Sequence, residues 1–216
     1  MRILTARNGL LLATLLAALA GCTRKGDIDP TGGIVQVRSA CPAVAVPAQT
    51  GDVTLFNPAN ATDETAIDVV ATLTNLRSTC NDGSDQLATE ATFDVIATRR
   101  DTSAARQITL PYFVVVTRGG TSVVSKRVGQ VTLSFAAGQA RASAQARASS
   151  YVDKSAATLP PEIQTLITKQ RKSGDADAAT DPLARPEVRA AIQRTSFELL
   201  VGFNLTREQL RYNATR

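Results

Sequence analysis

The chain has 216 residues, with 24 Lys and Arg against 19 Asp and Glu, and a formal net charge of +5 at pH 7. It contains no histidine and no tryptophan, and only 4% of its residues are aromatic. The lack of histidine excludes Ser-His-Asp and Cys-His catalytic units and histidine metal sites, and the modest charge is not a nucleic-acid footprint. We therefore expect no metal, no cofactor and no nucleic-acid partner.

The first 21 residues have the three parts of a signal peptide. Arg2 and Arg7 precede an apolar run from Leu10 to Ala20, and small residues follow it. This run is eleven residues long, whereas a membrane-spanning helix needs about 20. We therefore predict a signal peptide over residues 1–21 rather than a membrane span.

The four residues Leu19, Ala20, Gly21 and Cys22 resemble the lipobox of bacterial lipoproteins. The resemblance implies cleavage just before Cys22 and acylation of that cysteine. Stable anchoring takes more than one acyl chain, and the three chains of this family imply firm attachment to the membrane. Thr23 stands where an Asp would retain such a protein at the inner membrane, so the resemblance implies the periplasmic face of the outer membrane. The alternative is an ordinary secretory signal that leaves Cys22 as a free thiol.

Removing residues 1–21 leaves 195 of the 216 residues, enough for one domain of ordinary size. The 24 basic residues less Arg2 and Arg7 leave 22 against 19 acidic ones, a net charge of +3. Residues 22–33 are short of apolar side chains and rich in turn formers, which predicts a lipidated tether. A single domain is expected over residues 34–216.

The two remaining cysteines, Cys41 and Cys80, form an even pair in a compartment that oxidises thiols. We predict a disulfide between them, and two free thiols are the alternative. On the chain-entropy treatment, a closed loop of about 40 residues stabilises a fold by roughly 3 to 4 kcal/mol.

Alternation of apolar and polar residues predicts strands along most of residues 34–150. Residues 138–150 place an alanine at every second position. Alanine favours helices, but on a helix these alanines would form no face, whereas on a strand they form a narrow apolar stripe. A strand is therefore predicted here, with room for Phe93 or Phe135 across the core. The other alternating runs are Ile34–Val37, Val44–Leu55, Ile67–Leu73, Phe93–Ala97, Ile108–Val116 and Val123–Phe135.

Between residues 153 and 194 the apolar spacing becomes helical, with prolines that open two segments. The basic residues Lys169, Arg171 and Lys172 are expected at a solvated helix end, and contact with anionic lipid or a partner is the alternative.

The carboxyl-terminal part returns to strict alternation from Phe197 to Leu205, which predicts a strand that fills the core. Thr206 to Gln209 predict a helix cap and a short helix after it. Loss of the last five residues, 212–216, is expected to cost little stability.

Together these elements predict a mainly β fold with one helical insertion. The insertion spans residues 153–194, and its short helices are expected near residues 160–194. The closest architecture is an antiparallel β-sandwich, immunoglobulin-like in outline. A small β-barrel is the alternative.

Two classes of function are compatible with the sequence. The first is a non-catalytic cell-envelope lipoprotein that is held to the membrane by its lipid at Cys22. It would act in the periplasm as a structural, scaffold or partner-binding module for an envelope protein, with its sheet edges or helical insertion as the contact surface. The second is a small envelope hydrolase using carboxylates near strand centres, with Asp68, Asp94 and Glu198 as candidates. The lack of any catalytic motif favours the first class. Arg141 and Arg147 are expected on a solvated strand face, with an anion-binding pair as the alternative.

Overall fold

The computed structural model describes residues 39–169, 174–176 and 180–215. The predicted signal peptide, the lipidation at Cys22, the tether 22–33 and the predicted strand Ile34–Val37 lie outside the described residues. The same holds for Arg171 and Lys172 of the basic cluster.

Two four-stranded sheets pack face to face in the described part of the chain. The first sheet has the strand order β1-β8-β5-β6, and the second has the order β2-β3-β4-β7. This arrangement confirms the predicted mainly β fold. The strands are β1 (Ala43–Ala45), β2 (Asp52–Phe56), β3 (Ile67–Asn81), β4 (Gln86–Arg99), β5 (Arg106–Arg118), β6 (Ser122–Phe135), β7 (Arg141–Asp153) and β8 (Phe197–Phe203).

One strand pair departs from the predicted antiparallel pattern. β1 runs parallel to β8, with Ala43 opposite Glu198 and Ala45 opposite Leu200. The other neighbouring strands are antiparallel. A parallel pair cannot be joined by a short hairpin, and these two strands stand at opposite ends of the described chain.

The alanine-rich segment forms β7, as predicted, and pairs with β4 along its whole length. The expectation that its small side chains face a phenylalanine across the core is wrong for Phe93, which lies beside Ala146 on the neighbouring strand. The side chain from the opposite sheet is Tyr112, whose ring packs edge to face on that of Phe93 with 5.2 Å between the ring centroids. The Tyr112 hydroxyl donates to the carbonyl oxygen of Arg147 at 2.9 Å, so the polar tip of this buried ring has a partner.

The edge strands β6 and β7 belong to different sheets and meet along one side of the molecule. Here the Arg127 guanidinium donates to the carbonyl oxygen of Ser149. One side of the sandwich is therefore closed, which places the architecture between the predicted sandwich and its barrel alternative.

The predicted helical insertion is confirmed and is followed by a further helix after β8. Pro161 and Pro186 each occupy a first helical turn, where the missing N–H costs nothing. Thr206 and Gln209 form the predicted cap, since each backbone N–H donates to the side chain of the other, at 2.9 and 3.2 Å. The helices are α1 (Lys154–Ala157), α2 (Pro161–Thr168), α3 (Pro186–Thr195) and α4 (Arg207–Thr215).

The end of α4 is more firmly held than the sequence indicates. Asn213 is buried, and its Nδ2 donates to the carbonyl oxygens of Gln49 and Asp52, both at 2.8 Å. The ring of Tyr212 packs edge to face on Phe56 at 5.1 Å. Removing residues 212–216 therefore costs these contacts, contrary to the expectation of a small effect.

A disulfide joins Cys41 to Cys80, as predicted, with 6.2 Å between the two Cα atoms. Cys41 precedes β1 in the first sheet, and Cys80 lies near the end of β3 in the second sheet. The bond therefore links the two sheets at one end of the sandwich.

A buried arginine organises the opposite end of the sandwich. The Arg99 side chain, in a residue 4% exposed, lies 5.0 Å from the centroid of the Phe135 ring. Its guanidinium holds the loop after β4 against the loop after β6. The carbonyl oxygens that accept from it, at 2.7 to 3.5 Å, are those of Thr102, Ala104, Ala136 and Gln139.

Candidate functional site

A cleft of about 470 Å³ opens at the helical end of the sandwich. One wall is the chain at residues 39–43, which includes the start of β1. The other walls are residues 157–159, one side of α2, and the junction of α3 with β8 at residues 195–198. We call this site the first cleft.

Local structure fixes the walls of the first cleft. The disulfide holds Cys41 in its wall, and register with β8 places Ala43 opposite Glu198. Pro161 begins α2, which turns Gln164 and Ile167 toward the opening.

The chemistry of the first cleft is largely neutral. Leu159, Ile167 and Phe197 supply its larger apolar surfaces, and Glu198 is the one charged residue among the described residues that line it. Hydroxyl groups also face the space, but their O–H bonds are directed to helix carbonyl oxygens. These bonds join Thr168 to Gln164, Thr195 to Ala191 and Ser196 to Ile192, at 2.7 to 3.0 Å.

The three predicted carboxylates occupy separate places. Glu198 lines the first cleft and accepts from the Thr117 hydroxyl at 3.0 Å. Asp94, on β4, accepts from the Asn75 amide at 2.8 Å. Asp68 lies in a different cleft, described next. The structure does not bring these three side chains into one site.

A second cleft, of about 460 Å³, lies between β2, β3 and α4 and contains both Asp68 and Glu208. The Arg106 guanidinium makes two hydrogen bonds to Asp68, at 2.8 and 2.7 Å. Hydrogen bonds from the backbone N–H of Glu208 and from the Thr206 hydroxyl lower the pKa of the Glu208 carboxyl. Glu208 is not among the carboxylates predicted from the sequence, although its place two residues after the cap residue Thr206 puts it in the first turn of α4.

The lowered pKa of Glu208 is the opposite of what a general acid needs. A general acid needs a carboxyl that stays protonated near neutral pH, which requires a raised pKa. Glu208 has a lowered pKa, and Asp68 forms an ion pair with the Arg106 guanidinium at 2.7 Å. Glu208 therefore does not suit the role of a general acid, and Asp68 is engaged by Arg106.

The other predicted polar candidates lie on open surfaces. Arg141 and Arg147 are exposed on β7, and Arg147 approaches Glu90 at 3.4 Å with side chains 71% and 50% exposed. Such exposed pairs add little stability. Lys169 is exposed just after α2.

The function of the first cleft is indicated neither by a metal centre nor by a known relative. In residues 39–169, 174–176 and 180–215, no three His, Cys, Asp or Glu side chains gather where they could hold a metal ion. None of the helices in this part of the chain is long and apolar enough to cross a membrane. No protein family, curated protein or solved structure matches the chain.

Proposed function

We propose that the protein is a non-catalytic lipoprotein of the cell envelope that binds an extended segment of another envelope protein in the first cleft. Its lipid at Cys22 would hold it at the periplasmic face of the outer membrane. The observation that carries the proposal is the position of the cleft beside β1, which within the described residues is an edge strand with β8 as its one strand neighbour. An extended peptide can add to such an edge through main-chain hydrogen bonds.

The lining of the first cleft supports this occupant. Side chains of an added strand point alternately to opposite faces, so one set would reach Ile167 and Phe197. The cleft volume of about 470 Å³ falls in the usual range for binding sites, about 300 to 1,000 Å³. A mostly neutral lining suits a peptide that is recognised by its backbone and by apolar side chains.

The hydrolase alternative has less support. Two-carboxylate catalysis requires facing groups whose environments separate their pKa values. Asp68 is held by Arg106 and Asp94 by Asn75, and Glu198 is bonded to Thr117 in another cleft. The three predicted carboxylates are thus bonded to different partners in separate places, and they do not face one another.

Replacing Cys22 with serine is expected to remove the anchor. The intact mass of the native protein should exceed that of residues 22–216 by a diacylglyceryl group and an acyl group. The Cys22→Ser protein should leave the membrane fraction or remain unprocessed, because serine offers no thiol for lipid transfer. Normal processing and continued membrane binding of this variant would refute the lipobox assignment.

A photo-crosslinking amino acid at Ile167 is expected to capture one envelope protein in living cells. Ile167 lies in the first cleft, whereas Ser143 is exposed on the outer face of the second sheet and is the matched control. The adduct at position 167 should be a single species, identified by mass spectrometry, that is missing at position 143. The same adducts from both positions, or none from position 167, would contradict binding in the first cleft.

A further inference from the structure

The outer face of the first sheet is apolar toward one end, whereas that of the second sheet is mostly polar. In the second sheet, the outward side chains include Thr72, Asp94 and Gln145. In the first sheet, the neighbours of the core residues Val114 and Leu199 point outward, and all of them except Glu198 are apolar. The outward apolar residues, which we call the outer patch, are Phe113, Val115, Val128 and Leu200.

The residues of the outer patch are contiguous. Val128 is opposite Phe113, and Val115 is opposite Leu200. The patch residues lie on β6, β5 and β8, which are hydrogen-bonded neighbours in the first sheet. A strand that is apolar on both faces, as β5 is here, is typical of a sheet covered on both sides.

The polarity of this face changes along the strands. At the end of the sheet away from the first cleft, the Thr109 and Thr132 hydroxyls lie 3.0 Å apart, and Gln107 donates to Ser134 at 3.0 Å. These polar side chains are exposed. The outer patch therefore lies toward the end of the sheet that carries the first cleft, where the described chain begins and leads into β1.

The edge of the outer patch is exposed and basic. Val123, Val124 and Val128 of β6 are 62%, 56% and 55% exposed, and Lys126 lies between them in the strand. The sequence contains no acidic residue between Asp101 and Asp153. The carboxylate that borders the patch, that of Glu198, is bonded to Thr117.

We propose that the outer patch rests on the bilayer surface that holds the lipid, with Lys126 beside anionic phospholipid headgroups; this inference depends on the proposed anchor at Cys22. Residues 23–38 separate Cys22 from Ser39 and span at most about 60 Å when extended, so the domain stays close to the membrane. β1 follows directly and lies in the same sheet, with Ala45 opposite Leu200 of the patch. Basic side chains are attracted to anionic lipid surfaces. In the outer patch Val128 is exposed and Phe113, Val115 and Leu200 are half-buried, and a contiguous apolar patch that reaches solvent marks a contact surface.

Fluorescent labels at two positions of the same strand test this orientation. Cys41 and Cys80 are joined and Cys22 would carry lipid, so one added cysteine is the single reactive thiol. Val128→Cys places the label in the outer patch, and Thr132→Cys places it on the same face in the polar half. The lipidated protein is reconstituted into vesicles of phosphatidylcholine and phosphatidylglycerol, with and without lipid carrying a doxyl quencher. Val123→Cys provides a second patch position at the exposed edge.

We expect blue-shifted emission and quenching by the doxyl lipid for labels at positions 128 and 123, and neither effect at position 132. Equal behaviour at all three positions would overturn the inference. The label at position 128 could also be shielded in native membranes and yet not be quenched by the doxyl lipid in vesicles. This result would overturn the inference too, because a protein and not lipid would then cover the patch. Flotation of the vesicles separates the two proposals: protein that does not float contradicts the anchor and the docking together, whereas protein that floats without quenching contradicts the docking alone.

Discussion

Replacing Leu199 with alanine is expected to lower the free energy of unfolding by about 2 to 5 kcal/mol, the usual cost of a large cavity in a core. Leu199 is fully buried in β8, which lies between β1 and β5 in the first sheet. Typical domains are stable by only about 5 to 15 kcal/mol in total. Urea denaturation followed by circular dichroism measures the change.

Leu210→Ala is the matched control, since it removes the same atoms from a residue that is 42% exposed on α4. Its effect should stay within about 1 kcal/mol, as for most surface substitutions. Equal destabilisation by the two variants would show that β8 does not carry the core as described. Deleting residues 196–216 should abolish the cooperative transition altogether, because it removes β8 and α4 together.

Replacing Arg99 with methionine is expected to cost about 3 to 5 kcal/mol. Methionine keeps much of the length and can pack on Phe135, but it donates no hydrogen bonds. The four carbonyl oxygens that Arg99 now satisfies would lose a charged donor, and each buried group without a partner costs about 1 to 3 kcal/mol. Partial rehydration of the two loops keeps the total below the sum of these values. Urea denaturation again gives the measurement.

The neighbouring residue provides the control for Arg99. Arg100 is exposed and also donates to two carbonyl oxygens, those of Thr65 and Glu64, at 2.7 and 2.9 Å. Arg100→Met should cost no more than about 1 kcal/mol, because water replaces the guanidinium at an exposed site. If Arg100→Met proved as costly as Arg99→Met, the burial of Arg99 would not be the source of its effect.

The strands of this fold could be predicted because their sequence period matches the local geometry. Phe197 to Phe203 and Ala142 to Ala148 each place one kind of side chain on one face, and a strand is the conformation that brings those side chains together. The disulfide could be predicted because two cysteines remain once Cys22 is assigned to lipid. Each of these inferences needs only residues that are close in sequence, or a count of one residue type.

Long-range features could not be read in this way. Arg99 and Arg100 have the same side-chain chemistry. Alternation on β4 places Arg99 on the inward face with Val95 and Ala97, but the distant carbonyl oxygens of Ala136 and Gln139 that accept from its buried guanidinium are not evident from the sequence. The parallel pairing of β1 with β8 and the meeting of Asp68 with Glu208 in the second cleft likewise join distant segments. Of the three predicted carboxylates, Glu198 reaches the first cleft because β8 begins at the end of α3, which the strand period alone does not specify.

The disulfide at the start of β1 gives the domain a defined way to bear mechanical load. A pull on the chain before Ser39 reaches the fold first at this end, where β1 pairs with β8 over only three residues. Such a short pairing would peel apart one hydrogen bond after another. The Cys41–Cys80 bond instead passes the force to β3, which is paired on both sides, with β2 and with β4. Tension on an anchored chain would therefore be shared by both sheets, and β1 could keep its edge open to a partner while the protein is under strain.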